Sequence, residues 1–324
     1  QVLPEALDYY LKGRHLHKKQ NPKSVKLAID HLKESIAIDS NYAPSYVVLA
    51  EAYVSLNKLI QDEDQKKNNV LLARKAIDNG LSKGPYLAES YITKGITLEK
   101  FDWDWDGMYA MTMKGLDLDP NNSYAHTQLS KYYLYTNQMD KSIQEALIAE
   151  KLDPLNARAS TIVAERYFYD RQWEKSLDQF YKVVELHPEH AYGWDGLGYV
   201  QFETGQQANA INSYLKFQRL MNNKSMIAQL ETGDSFEDSM YFWLEKATRK
   251  APMYCSHPAV ISQVFLYVDD KENALKYLEV AYAQRDQDLP SMLLKPLFEP
   301  LYEEPRFLDL LDKTGVSIRK SLAQ

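Results

Sequence analysis

The chain holds a single cysteine, Cys255, among 324 residues. One thiol excludes an internal disulfide and any multi-cysteine metal site, and it suits a reducing compartment. Glycine (12) and proline (13) are scarce, and alternating apolar–polar runs of the kind strands need are hard to find. Against a formal net charge of −7 no basic block stands out, so this segment is not expected to contact nucleic acid directly. No apolar run approaches the roughly 20 residues of a membrane span, and no signal peptide opens the chain. The expected compartment is cytoplasmic, or periplasmic if a transmembrane helix precedes this segment. A start at Gln1 without methionine is what a piece of a longer protein would show.

Catalytic and metal signatures are equally thin. There is no H-E-x-x-H and no G-x-S-x-G elbow. His15 and His17 stand two apart on one helix and do not share a face. His187 and His190 flank Pro188 in a junction. Cys255 and His257 would need a third group to act as a dyad. "NGLSKG" (79–84) is too short for a phosphate loop and follows a helix. The reading is no enzyme, no metal and no cofactor.

What is present is a globular composition, 45% hydrophobic and 26% charged, rich in tyrosine (24). Apolar residues recur at i, i+3, i+4 almost throughout, which predicts an all-α chain. A longer period overlies the helical one. Pro120, Pro154 and Pro188 close "LDLDP", "EKLDP" and "VELHP" at intervals of 34. Leu129, Val163 and Leu197 keep the same spacing. So do the small residues Ser130, Ala164 and Gly198, the small residues Ser142, Ser176 and Ala210, and the packing residues Ala146, Phe180 and Tyr214. Small residues at these two positions let the two helices of a hairpin approach closely, and the proline ends the second helix. Such a hairpin cannot bury its apolar face alone; stacked neighbours can.

One stretch, "FDWDWDGMYAMTM" (101–113), imitates the opening of a calcium loop with Asp102, Asp104, Asp106 and Gly107. The twelfth position, where a bidentate glutamate closes such a site, is Met113, too soft a ligand for a hard cation. Trp103 and Trp105 are instead expected to staple a turn, with Asp106 capping the helix that follows.

"WDGLG" (Trp194, Leu197, Gly198), followed by Ala210, Tyr214 and the closing prolines, resembles the tetratricopeptide repeat. The resemblance implies a right-handed superhelical solenoid of helix-turn-helix repeats. Six repeats fall at about 6–42, 43–86, 88–122, 123–156, 157–190 and 191–224, covering 1–224. Residues 225–290 read as a degenerate hairpin (225–252) plus one further repeat carrying Ser262, Phe265, Ala274, Leu278 and Ala281. Residues 291–324, with "PLFEPLYEEPRF", read as a cap folded over the last hairpin, whose apolar face would otherwise be exposed.

Residues 6–53, the "FDWDWDGMYA" turn, the "EKLDPLNA" junction and the tail "LKPLFEPLYEEPRFLDLLDKTGV" are further similar to the C-terminal repeat regions of bacterial signalling proteins. In those proteins a DNA-binding or nucleotide-cyclase module precedes the repeats. The resemblance implies a protein- or peptide-binding module in a regulatory or sensory role, with a stand-alone scaffold as the alternative.

In such a solenoid the concave groove is lined by fixed first-helix positions. Here these are Tyr124, Arg158 and Tyr192; Thr127, Thr161 and Asp195; Lys131, Glu165 and Tyr199; and Tyr135, Tyr169 and Glu203. Tyrosine among mixed charges suits a peptide partner. Tyr133 and Tyr167 are expected to pack between repeats. The positions that would clamp a C-terminal carboxylate hold Tyr10, Arg14, Glu51, Ile92 and Ile96, of which only Arg14 could serve. Nothing in the sequence fixes the oligomeric state.

Overall fold

A computed structural model describes residues 2–60, 62–232, 238 and 257–318. Among them there is no strand. The helices are α1 (Pro4–His17), α2 (Pro22–Ile38), α3 (Ala43–Leu59), α4 (Glu63–Lys83), α5 (Ala88–Asp102), α6 (Trp105–Leu118) and α7 (Ser123–Tyr135). They continue as α8 (Met139–Leu152), α9 (Ala157–Tyr169), α10 (Trp173–Leu186), α11 (Ala191–Glu203), α12 (Gln207–Leu220) and α13 (Lys224–Glu231). After the segment outside the described residues come α14 (Pro258–Tyr267), α15 (Lys271–Ala283) and the short α16 (Leu289–Met292). A 3-10 helix (Pro296–Leu301) and α17 (Pro305–Thr314) end the described chain. Cys255 and most of the degenerate hairpin lie outside the described residues. The chain divides into two compact units, Gln1–Gln128 and Leu129–Gln324, the division falling inside α7.

In the first unit α1 pairs with α2, α3 with α4, and α5 with α6. Its core runs through Val25, Leu32, Val47, Ala50, Ile77 and Ile92, all nearly or fully buried. The "DWDWD" turn joins α5 to α6. Trp103 takes the left-handed conformation (φ 55°) and ends α5, donating its N–H to Glu99 O. Because that single residue completes the turn, α6 begins at Trp105. The cap is therefore Asp104, not Asp106: Asp104 Oδ1 accepts from Gly107 N at 2.8 Å. Asp106 is exposed in the first turn, where it complements the helix dipole. Trp103 and Trp105 are both buried, and Asp102 pairs with Arg74 at 2.5 Å. With the three carboxylates divided among an ion pair, a cap and solvent, Asp104→Ala should cost about 1 kcal/mol through the lost cap. Calcium titration calorimetry on the wild type should show no micromolar site. A micromolar site that Asp104→Ala abolishes would overturn this account.

In the second unit α9 pairs with α10, α11 with α12, and α14 with α15. The 34-residue period is visible in the local chemistry. Asn137, Arg171 and Gly205 each turn the chain with positive φ (56°, 60° and 75°). The next residue in each case returns its N–H to the helix just ended: Gln138 to Tyr133 O (2.8 Å), Gln172 to Tyr167 O (2.9 Å) and Gln206 to Gln201 O (2.8 Å). This is the Schellman way of satisfying terminal carbonyls. The two small-residue columns touch each other. Ser142 Oγ donates to Ser130 O (2.6 Å) and Ser176 Oγ to Ala164 O (2.9 Å). At the third level Gly198 lies so close to the Tyr214 ring that a Cβ would stand 2.9 Å from it. Tyr133 and Tyr167 carry Lys141 and Lys175 over their rings at 5.2 and 5.5 Å.

The C-terminal segment is strongly packed. Leu289, Leu293, Phe298, Leu301 and Phe307 have no exposed surface. α16 and the 3-10 helix rest on α14, and α17 rests on α15. Arg306 joins them from the surface, donating to Glu272 and Glu279.

Candidate functional site

Tyr124 and Thr127 belong to the first unit. Tyr124 is exposed, while Thr127 is buried with its hydroxyl donated to Tyr124 O at 2.6 Å. The other ten predicted groove residues lie in the second unit, on the C-terminal part of α7 and on α9 and α11. They do not form one open surface there. Arg158 and Tyr192 are exposed. Thr161 is buried beneath them and meets His190 Nε2 at 3.1 Å. Lys131, Glu165, Tyr169, Asp195, Tyr199 and Glu203 are half-buried, and Tyr135 is only 2% exposed.

The burial has a source that the repeat pattern does not announce. The segment after α15 returns along these same helices. The Tyr169 hydroxyl donates to Ser291 O at 3.2 Å. Ser317 N donates to Tyr135 O at 2.9 Å, and Asn137 Nδ2 to Ile318 O at 3.3 Å. Arg171, held in its left-handed turn, forms an ion pair with Glu299. Lys295 Nζ stands 4.0 Å from the centroid of the Tyr199 ring and donates to Gln263 Oε1 at 2.7 Å. A pocket remains between Leu134, Tyr169 and Arg171 on one side and Leu294, Pro296 and Tyr302 on the other. Lys295, Arg171, Gln263 and Tyr302 were not among the residues the sequence singled out. The available signal was a lysine set inside an apolar, proline-stiffened tail, "MLLKPLFEP".

This closeness moves protonation equilibria. Burial pushes Asp195 up to about 6, opposed by the Lys295 ammonium and helped by Glu165. Glu203 is raised, again by burial first, with Lys295 and Arg171 opposing. Burial pushes Lys295 down, while Asp195, Glu165, Asp288 and Glu203 all act to keep it charged. Burial also raises Tyr169 well above the usual phenol range.

Elsewhere, His257, Asp286 and Asp288 bring possible ligand atoms within 4.8 Å of one another. Asp286 is engaged in shaping the chain: its Oδ2 accepts from Ala259 N at the start of α14, and its Oδ1 from Asp288 N. Of the carboxylate-clamp positions, Arg14 lies over the Tyr10 ring, Glu51 accepts from Thr93, and Ile92 and Ile96 are buried. Among the described residues no helix is long and apolar enough to cross a membrane.

No protein-family model matches the chain, and no curated protein matches its sequence. Solved structures do match. A monomeric mutant of IFIT1 with Gppp-AAAA is 14% identical at TM-score 0.51, over 81% of this chain and 68% of that one. TTC0263, a thermophilic TPR protein in Thermus thermophilus, is 14% identical at TM-score 0.49, over 61% and 99%. YrrB, a TPR protein with an unusual peptide-binding site, is 16% identical at TM-score 0.39, over 62% and 97%. At these identities the likeness concerns the fold. Paired helices, a 34-residue period and the repeated small-residue contacts agree with it. The fold is an all-α array of paired helices of the tetratricopeptide-repeat kind.

Proposed function

We propose that the chain is a non-catalytic module that binds a protein or peptide along the first-helix faces of its second unit. We place it as the regulatory or sensory region of a bacterial signalling protein of the transcription-regulator or cyclase type. One observation carries the binding reading: these faces already hold polypeptide. Tyr135, Asn137, Tyr169, Arg171 and Tyr199 meet the returning segment through backbone hydrogen bonds, an ion pair and an aromatic–cation contact. Those are the means by which a groove holds an extended ligand. The signalling role rests on the sequence resemblance. An effector module encoded upstream of Gln1 would support it, whereas a reading frame without one favours the scaffold alternative.

Arg158 and Tyr192 are the predicted groove residues of this unit that stand open. Tyrosine and arginine are the usual hot-spot types, and truncating one typically costs about 2 kcal/mol or more. A photo-crosslinking residue at Tyr192 of the full chain should therefore capture a partner from lysate of the source cells. One at Lys175, on a second helix, should not. Arg158→Ala with Tyr192→Ala should then weaken the captured partner by about 2 kcal/mol or more. Capture from Lys175 alone, or unchanged affinity of the double variant, would refute the reading.

A further inference from the structure

Lys295 sits in a place built for an ammonium group. The Tyr199 ring supplies a negative π-face 4.0 Å from Nζ. Gln263 Oε1 supplies a neutral acceptor at 2.7 Å. Around them Glu165 on α9, Asp195 and Glu203 on α11, and Asp288 ahead of α16 each favour the charged amine. The ring and the acceptor define the place by geometry, and the nearby carboxylates favour the charged form of an amine that stands there. The chemistry of the place selects a compact cation on a long apolar stem, which is a lysine side chain.

The occupant can leave without unfolding its segment. Leu293 and Phe298, on either side of Lys295, are fully buried and anchor the backbone. Lys295 itself has extended backbone (φ −66°, ψ 139°) ahead of Pro296, and is only half-buried. α16 and the 3-10 helix also rest on α14, and the Lys295–Gln263 bond is the link to α14 that the stem itself makes. Rotating that stem out exchanges one cation for another and leaves the apolar contacts in place.

The geometry points to a lysine-recognition slot that Lys295 fills in cis and that a lysine of a bound peptide takes over in trans. This rests on the peptide-binding reading above and narrows it: the partner segment carries a lysine, and binding expels Lys295 into solvent. A peptide without a lysine must leave Lys295 seated, so the chain's own residue acts as a filter on partners.

The test uses the full wild-type chain and a capped alanine–lysine peptide, with an alanine–glutamine peptide as control. Pulsed amine acetylation read by mass spectrometry should label Lys295 slowly in the free protein. The lysine peptide should raise that rate roughly tenfold, a loss of protection worth about 1.4 kcal/mol, without changing Lys175. The control peptide should change neither. Lys295→Met should bind the lysine peptide roughly tenfold more tightly than wild type, and adding Asp195→Asn should abolish that gain. Lys295 labelling that stays unchanged at saturating peptide overturns the inference, as does Lys295→Met binding no more tightly than wild type. If Lys295→Met does not fold, the wild-type labelling decides. If the crosslink at Tyr192 captures a partner while Lys295 stays protected, the slot is refuted and the binding module stands. If Tyr192 captures nothing, the broader reading falls with it.

Discussion

Phe180→Ala lowers the stability of the second unit by about 3–5 kcal/mol, the usual cost of removing a fully buried phenylalanine. Phe180 is 1% exposed and clusters with Ala164, Phe168, Val184, Leu197 and Val200. Those residues come from α9, α10 and α11, so one ring joins a hairpin to the hairpin stacked on it. The ring lies against bare backbone. A Cβ on Gly196 would stand 2.2 and 2.3 Å from two of its carbons. Gly196→Ala should therefore destabilise through overpacking, typically by about 1–3 kcal/mol, offset in part by the better helix propensity of alanine. Phe180→Leu shortens the side chain where Gly196→Ala lengthens one. The double variant should be more stable than the sum of the two single losses by about 0.5–3 kcal/mol. Denaturant titrations of the four proteins, with hydrogen exchange to locate the change, measure this cycle. The loss should concentrate in α9–α12 and in the segment that returns across α9 and α11, because these helices contact their stacked neighbours and that segment. A Phe180→Ala loss below about 1 kcal/mol, or exchange raised uniformly along the chain, would contradict the packing described.

The second large effect is a dependence on pH in the first unit. Glu51 on α3 accepts from Thr93 Oγ1 at 3.0 Å, and burial pushes its carboxyl up to about 7 from 4.5. Thr93 opposes the shift and Glu89 adds to it. Because native Glu51 holds its proton more tightly than the unfolded chain does, stability falls as pH rises from 4.5 to about 7. Above that window the charged, desolvated carboxylate costs the native state on the order of 2–3 kcal/mol. Glu51→Gln keeps an oxygen that can accept from Thr93 and removes the charge. It should match wild type at the acidic end of the window and exceed it by about 1–3 kcal/mol at the alkaline end. Denaturant unfolding at both ends, followed through Trp103 and Trp105 of the first unit, measures the difference. Equal stabilities at the alkaline end would show that Glu51 is solvated in the native protein.

Much of the architecture was legible because it is local and repeated. The interval of 34 between Pro120, Pro154 and Pro188 follows from helices that must end where proline removes a donor and restricts the residue before it. The paired small columns, Ser130 with Ser142 and Ala164 with Ser176, announced the close approach now seen as hydroxyl-to-carbonyl bonds. Such signals depend on neighbours within one hairpin, so they survive in the order of residues. Even at this scale the finer choice was out of reach. Asp104 and Asp106 are equally good caps as residue types, and only the left-handed Trp103 decided between them.

What tertiary structure alone decided is the state of the candidate site. Tyr135, Tyr169 and Tyr199 stand at first-helix positions by their spacing, but spacing says nothing of what faces them. The Tyr169–Ser291 bond joins residues 122 apart, and Ser317 reaches Tyr135 from the far end of the chain. A periodic pattern describes contacts between adjacent repeats; a segment that returns across several of them leaves no periodic trace. The composition of the tail predicted that its apolar side chains would be buried, because water excludes them wherever they land. Its lysine carried no such instruction. The arrangement of Tyr199, Asp195 and Gln263 around Lys295 exists only once three separate stretches of chain have met.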